Sequence, residues 1–159
     1  MKNSIRGALL SFTVLIAPAF AQQTPASGLS FKLGDEVSVV KTAMHTNIDP
    51  EPIENQLPIG FNVNAGKKTL QLRTKGITII FNKKDVVESI KAEEPFSGAI
   101  AGVKIGDSEK ALRTVMGKPI KTPWALGANQ VFLYALDDTA YIRFDVNENS
   151  GVQTINILK

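Results

Sequence analysis

Only two groups of residues in this sequence could take part in acid–base or nucleophilic chemistry. The first is His45, the only histidine, with Asp49 and Glu51 close to it. A nucleophilic triad would need a Ser or Thr poised against the imidazole, and no motif of the Gly-x-Ser-x-Gly type is present. A metal site would need further ligands, and there is no second histidine at ligand spacing. We therefore interpret His45 as a solvated loop residue and expect no metal site.

The second group consists of the carboxylates Asp85, Glu88, Glu93 and Glu94. Two carboxylates several ångströms apart can divide acid and base roles, as in glycosidases. Glu93 and Glu94, however, stand directly before Pro95, which is typical of a solvated strand end. We therefore expect a protein that is not an enzyme and carries no cofactor.

Four aromatic residues are better candidates, because exposed aromatic side chains anchor many protein interfaces. Trp124 lies in an apolar loop, where it either contacts a partner or covers the end of a sheet in the core. Tyr134 and Tyr141 fall on predicted strands, where either could lie on an open sheet face. Phe61 lies in a long irregular segment and is the weakest candidate, since such loops also plug cores. We expect these four residues to bind a partner protein.

The first residues are typical of an export signal. Lys2 and Arg6 give a positive start, residues 7–18 are largely apolar, and residues 19–21 form a small-x-small cleavage site. The apolar run is shorter than the roughly 20 residues of a spanning helix, so a membrane anchor is the less favoured alternative. We expect a signal peptide at 1–21, a flexible lead-in at 22–30 and a periplasmic location, with secretion as the alternative.

Charge and cysteine content narrow the class of partner. Cleavage after residue 21 would lower the 18 basic residues to 16, against 15 acidic ones, which leaves a charge of about +1. A nucleic-acid or anionic-membrane partner would favour a clustered basic surface, so we expect neither. The chain has no cysteine, so it has no disulfide and no lipid-attachment cysteine. We expect no stable membrane anchor, and the oligomeric state is not predicted.

Hydrophobic periodicity predicts two helices. The first has Asp35 at its N-cap and Val40 and Met44 on its apolar face. The second is capped by Asp107 or Ser108 and stopped by Gly117 and Pro119. An irregular loop is predicted between His45 and Lys68, and another over 120–129. Alternating patterns predict antiparallel strands at 69–74, 76–81, 86–92, 130–135, 139–145 and 152–158.

The two helical segments are copies of each other. Residues 31–44 and 103–116 align at a constant offset of 72, and five of the fourteen positions are identical. Further on, Phe81-Asn82 matches Phe144-Asp145, and 87–90 matches 152–155. The sequence therefore predicts an α+β fold of two tandem repeats, 31–94 and 95–159, within one unit. Each repeat is a short helix packed on a three- to four-stranded antiparallel sheet.

These motifs resemble the repeat of the beta-lactamase inhibitory protein and of the SmpA/OmlA outer-membrane assembly lipoproteins. The resemblance is carried by Gly102, 105–108, 116–119, Phe144-Asp145 and 152–155, with a weaker copy at 33–35. It implies two repeats whose sheets form one concave binding face. The chain differs from the lipoproteins in having no lipidated cysteine and from the inhibitory protein in having no disulfide.

The sequence thus favours an exported, non-enzymatic binding protein that inhibits, neutralises or escorts another envelope or secreted protein. One alternative is a structural factor in outer-membrane assembly, as the lipoprotein resemblance implies. Another is a small-molecule carrier or hydrolase that uses the 45–68 loop, with Phe61, His45 and a carboxylate converging on an apolar pocket.

Overall fold

The computed structural model describes residues 29–54 and 64–159. Two helices, α1 (Val37–Ala43) and α2 (Glu109–Met116), accompany a mostly antiparallel sheet, which makes the fold α+β. The strands are β1 (Glu51–Pro52), β2 (Lys68–Leu72), β3 (Ile77–Phe81), β4 (Val87–Glu93), β5 (Ala99–Ile100), β6 (Val103–Lys104), β7 (Trp124–Leu126), β8 (Asn129–Ala135), β9 (Tyr141–Asn147) and β10 (Gly151–Leu158). The proposed signal peptide and Phe61 lie outside the described residues.

Eight of the strands form one antiparallel sheet in the order β1-β2-β3-β4-β10-β9-β8-β7, and β5 and β6 form a separate hairpin. The first four strands of the chain occupy one side of the large sheet, and the last four occupy the other. They join where β4 pairs with β10, with Lys91 opposite Asn156 and Ile90 opposite Ile157. The sequence predicted a three- to four-stranded sheet for each half, whereas the structure has one continuous sheet.

The six predicted strands are present, with ends shifted by up to two residues. The sequence missed β1 and β7, which fall inside the two predicted loops. Pro52 and Pro123 stand in or beside these strands, and each strand has only two or three residues. Such short segments have little intrinsic strand preference, and pairing with β2 and β8 makes them extended. The β5–β6 hairpin was also missed.

The core lies between the helices and one face of the sheet. Val40 of α1, Met44 at the C-terminal end of that helix and Leu112 of α2 belong to the same buried cluster as alternate residues of the six central strands. The sheet residues of this cluster are Leu70, Leu72, Ile77, Ile79, Phe81, Val87, Ile90, Ala92, Phe132, Tyr134, Ile142, Phe144, Val146, Val152, Ile155 and Ile157. Ile100, Ala101 and Val103 of the β5–β6 hairpin and Phe31, which precedes α1, complete it.

The start of α2 agrees with the prediction from the sequence, and the start of α1 does not. Ser108 caps α2, since its Oγ accepts a hydrogen bond from the Ala111 amide at 3.2 Å. The prediction that Asp35 caps α1 is wrong: the N-cap residue is Glu36, which forms no side-chain capping bond. Asp35 Oδ2 instead accepts from the Lys32 amide at 2.8 Å, closing the turn before the helix. Asp107 Oδ2 accepts from the Lys104 amide at the same distance.

Each turn before a helix is fixed to a strand by two backbone hydrogen bonds of 2.8 Å. In the first half, the Gly34 amide donates to Val87 O, and the Val87 amide donates to Asp35 O. In the second half, the Gly106 amide donates to Val152 O, and the Val152 amide donates to Asp107 O. These bonds hold the start of each helix against the core face of the sheet.

One β-bulge occurs in the last strand of each half. Ile80 lies opposite Ser89 and Phe81 opposite Val87, so Glu88 has no partner on β3. In the same way Asp145 lies opposite Thr154 and Val146 opposite Val152, so Gln153 has no partner on β9. A bulge bends its strand and increases the local twist, so both sides of the sheet curve at equivalent places.

Candidate functional site

Both helices pack on one face of the sheet, so in the described parts of the chain the other face has no helix over it. Arg113 of α2 lies over the ring of Phe132, 4.9 Å from its centroid, on the core face. We call the opposite surface the open face, and the alternation of side chains along each strand assigns its members. They include Thr69, Gln71, Thr78, Ile80, Ser89, Lys91, Glu93, Trp124, Leu126, Val131, Leu133, Ala135, Tyr141, Arg143, Asp145, Thr154, Asn156 and Leu158.

The open face is large enough for a protein partner. The six central strands, spaced by about 4.8 Å, give a width of roughly 24 Å, and their length of five to eight residues gives a height of roughly 20 Å. These strands therefore cover on the order of 500 Å², which is in the range of the smaller protein–protein interfaces, and β1 and β7 add to this area at the edges.

Asp145 is the centre of a hydrogen-bonded network on this face. Its two carboxylate oxygens accept from Arg143 Nε at 2.7 Å and Nη2 at 2.9 Å, a bidentate ion pair. Thr154 Oγ1 donates to Asp145 Oδ2 at 2.8 Å, and Asn156 Nδ2 donates to Thr154 Oγ1 at 3.3 Å. Only 8% of Asp145 is exposed, which makes it the buried charged residue of the described chain. The network thus holds four polar side chains in fixed positions on the sheet.

A second ion pair continues the network across the junction of the two halves. Lys91 Nζ lies 2.6 Å from Glu93 Oε2, and both side chains are more than 40% exposed. Glu93 is directly opposite Thr154, and Lys91 is directly opposite Asn156. The centre of the open face is therefore polar, with balanced charge.

Exposed aromatic and aliphatic side chains lie on the open face beside this polar centre. Trp124 is 41% exposed and Tyr141 is 44% exposed. Trp124 is opposite Val131, which is opposite Asp145, so the indole stands about 10 Å from the network along one row of the sheet. Leu126, at 51% exposed, extends the apolar area along β7.

Tyr134 does not lie on this surface. It is 3% exposed and packs edge-on against Phe144, with ring centroids 5.8 Å apart. Burial raises its pKa above the ordinary value, while the nearby Arg113 lowers it and Glu109 raises it. The expectation that Tyr134 contacts a partner is therefore corrected, because its position on β8 points it to the core face. Its hydroxyl has no hydrogen-bond partner among the described residues.

His45 lies at an open cleft of about 990 Å³ between α1, the loop after it and the β3–β4 turn. The imidazole is exposed, and His45 has a positive φ of 48° at the end of the helix. Asp49 also lines the cleft, but Lys41 Nζ holds its carboxylate at 2.6 Å, and this hydrogen bond and the lysine charge lower the pKa of Asp49. The hydrolase alternative also needed Phe61, which lies outside the described residues.

A second cavity of about 590 Å³ lies where the start of α2 meets the β7–β8 and β9–β10 turns. Its lining is largely turn backbone and polar side chains, including Asn147, whose Oδ1 accepts from the amides of Asn149 and Ser150. These bonds complete the turn, so the site is structural. Among the described residues, no group of three His, Asp or Glu is placed to hold a metal ion.

Sequence reasoning missed the residues at the centre of the open face. Arg143 and Asp145 are two positions apart on a predicted strand, and this spacing alone places both side chains on one face. The sequence therefore contained a signal that Arg143 and Asp145 lie side by side. Their connection to Thr154 depends on the pairing of β10 with β9. The proximity of Lys91 and Glu93 depends on the pairing of β10 with β4, which the sequence did not predict.

Comparisons with known proteins bear on the fold alone. The sequence matches no protein-family model and no curated protein. A cysteine-rich secretory protein (SAV1118) from Staphylococcus aureus has a similar structure, with a TM-score of 0.55, 13% identity and 80% of this chain covered. This chain spans 44% of the staphylococcal chain. A DUF4309 family protein (YjgB) from Bacillus subtilis matches with a TM-score of 0.52 and 12% identity, over 84% of each chain.

Neither structure belongs to the two groups that the sequence motifs resembled. Both identities are below the level at which a shared fold indicates a shared activity. The likeness supports the α+β architecture with its antiparallel sheet. No helix in the described residues is long and apolar enough to cross a membrane.

Proposed function

We propose that this chain is an exported, non-enzymatic binding protein that uses the open face to inhibit, neutralise or escort another envelope or secreted protein. The observation that carries the proposal is the open face itself, a broad sheet surface with a preorganised polar centre and exposed aromatic side chains beside it. Preorganised polar groups lose little conformational freedom on binding, and exposed aromatic residues supply much of the energy of typical interfaces.

The arrangement of polar and apolar groups suggests how the surface works. Trp124 and Tyr141 would contribute apolar contact area, since each buries a large rigid ring with few torsions to fix. In the free protein Arg143 and Asp145 form an ion pair with each other. A partner would therefore meet hydrogen-bond donors and acceptors in fixed orientations, and no unpaired charge. Such a surface favours a partner whose polar groups match the network in register.

A capture experiment tests the proposal. The mature protein is immobilised and exposed to envelope and culture-supernatant extracts, and a captured protein is then purified and its dissociation constant measured. We expect Trp124→Ala and Tyr141→Ala each to weaken binding by about tenfold, the effect of losing ~1.4 kcal/mol from an interface anchor.

Ile48→Ala is the matched control, because Ile48 is 54% exposed and lies in the loop after α1, away from the open face. This variant should bind as the wild type does. The proposal would be contradicted if no specific protein is captured, or if Ile48→Ala weakens binding as much as Trp124→Ala and Tyr141→Ala do. Sedimentation with membranes in fractionated cells would point instead to an outer-membrane assembly factor.

We also infer that the two halves are structural repeats that form this face together. Four observations support the inference: the paired bonds from Gly34 and Gly106 to the strands, the matching aspartate turns, the bulges at Glu88 and Gln153, and the order of strands on either side of the β4–β10 junction. In this arrangement, an approximate twofold axis would pass between Lys91 and Asn156. The polar centre of the open face would then lie beside the axis.

A further inference from the structure

The two edges of the eight-stranded sheet differ in how well they are protected. At one edge, β1 has only Glu51 and Pro52, and a proline and a charge both discourage pairing with another strand. At the other edge, Trp124, Ala125 and Leu126 of β7 are all exposed, and none is charged. β7 pairs with β8 on one side, and within the described residues no strand pairs with its outer side.

Apolar exposure is concentrated on this unprotected side. Of the seven large hydrophobic residues that are exposed in the described chain, three lie along this edge: Ile120, Trp124 and Leu126. Ile120 lies along the same edge, because its amide donates to Leu133 O on β8 at 2.9 Å. The segment from Ile120 to Leu126 is called the β7 edge below.

The charge near the Ile120 end of the β7 edge is positive. No acidic residue occurs between residues 110 and 136, whereas Lys110, Arg113, Lys118 and Lys121 do. Arg113 is paired with Glu109 at 2.7 Å, but Lys118 and Lys121 are exposed and form no ion pair with another described residue. Both lie near the Ile120 end of the edge. At the opposite end, Glu148 lines the same cavity as Ala125 and Gly127.

We propose that the β7 edge accepts an extended segment of the partner protein as an added strand, and that this segment carries apolar residues and carboxylates. Backbone bonds to the outer side of β7 would supply register, and the exposed apolar residues would supply contact area. The carboxylates would lie toward Lys118 and Lys121, because Glu148 repels them at the other end. The inference rests on the proposed function, since it specifies one mode by which the same partner is held.

Pro119 and Pro123 limit the length of this site. Neither has a backbone amide to donate, so the added strand can pair only along the three residues of β7, of which alternate residues direct their amide and carbonyl groups outward. Because the site is short, an added strand would bind weakly and reversibly. The short length also keeps the edge from pairing with further chains and causing aggregation.

A peptide titration tests the proposal. The probe is a capped peptide of alternating Val and Glu, and the readouts are its dissociation constant and the amide chemical shifts of the isotope-labelled protein. We expect shifts confined to the β7 edge and β8. We also expect the Lys118→Glu/Lys121→Glu double variant to weaken binding at least about tenfold. Lys83→Glu/Lys84→Glu, a matched charge reversal in the β3–β4 turn, should bind the peptide as the wild type does.

Two control peptides separate strand addition from simple charge attraction. The same sequence with N-methyl groups on alternate amides keeps its side chains but cannot pair, and the Val/Lys sequence reverses the charge. Both should fail to bind. Equal binding of the N-methylated peptide, shifts centred elsewhere, or no binding of the Val/Glu peptide would each overturn the proposal. Concentration-dependent dimerisation that Trp124→Glu abolishes would also overturn it, in favour of a second copy at this edge.

The captured partner distinguishes this inference from the proposed function. Tyr141→Ala changes the open face alone, and the Lys118→Glu/Lys121→Glu variant changes the β7 edge alone. If Tyr141→Ala weakens binding of the partner but the lysine variant does not, the proposed function is supported and strand addition is overturned. Loss with both variants supports both statements.

Discussion

At the scale of the residue, Asp145 has the most constrained position on the open face. A nearly buried carboxylate is tolerated there because Arg143 and Thr154 together donate three hydrogen bonds to it. Asp145 thus links β9 and β10, and under the proposed function it would also orient the groups that a partner meets.

We expect Asp145→Ala to lower the free energy of unfolding by about 1–3 kcal/mol, because it leaves the partly buried Arg143 and the Thr154 hydroxyl without their acceptor. Urea denaturation of the purified variant measures the loss. Thr154→Val removes one donor and leaves the ion pair intact, so its effect should be smaller. Equal stability of wild type and Asp145→Ala would show that the network contributes nothing to folding.

Asp137 provides a prediction about pH. The amide and hydroxyl of Thr139 both donate to Asp137 Oδ1, at 2.7 and 2.9 Å, and they lower the pKa of Asp137 below its ordinary value of 3.8. A lowered pKa in the folded state stabilises the fold above the unfolded pKa, and this contribution is lost as the pH falls through the folded pKa. Carbon-13 titration of the carboxylate should give a value below 3.8, and Thr139→Val should raise it.

At the scale of the element, the two helices begin differently although their sequences align. α2 has a side-chain cap from Ser108, and α1 has none from Glu36. The hydroxyl of a serine reaches the amide three residues on, whereas the longer glutamate side chain does not form that bond here. α1 therefore depends more on burial of Val40 and Met44 for its stability.

We expect Ser108→Ala to destabilise the protein by about 1 kcal/mol, the usual effect of removing a serine N-cap. Glu36→Ala, at the equivalent position of α1, should change stability by less, because no capping bond is lost. Thermal denaturation of the two variants in parallel gives the comparison. A larger loss for Glu36→Ala would mean that this residue stabilises α1 in a way that the hydrogen bonds do not explain.

At the scale of the whole molecule, the two halves share one core and one sheet. Ile157 of β10 lies opposite Ile90 in one direction and Ile142 in the other, and it is 2% exposed. Because one buried cluster spans both helices and all six central strands, neither half can bury its apolar residues alone.

We expect the mature protein to unfold in a single cooperative transition, with coincident midpoints from far-UV circular dichroism and from the fluorescence of Trp124. Ile157→Ala should lower the stability of both halves together, by about 2–5 kcal/mol. Fragments 29–94 and 95–159, expressed separately, should remain unfolded. Two separate transitions, or a folded fragment, would contradict a shared core.

The sequence by itself determined the elements that local physics controls. Hydrophobic periodicity of 3.6 residues predicted both helices, and Ser108, Gly117 and Pro119 marked the ends of the second one. Hydrophobic periodicity of two residues predicted the six long strands within a few residues of their observed ends. The internal copy at an offset of 72 suggested two equivalent halves. Exposure of Trp124 was left open, since its loop could either contact a partner or cover the core.

Only the tertiary structure decided which side chains meet. Pairing of β4 with β10 joins the halves into one sheet and brings Lys91 and Glu93 beside Thr154 and Asn156. Pairing of β7 with β8 places Trp124 at an exposed edge, and the position of Tyr134 on β8 directs it into the core. The pairing of strands that are far apart in sequence depends on the sum of many packing contacts. A local sequence pattern does not contain this information. The open face and its polar centre exist only once those partners are fixed.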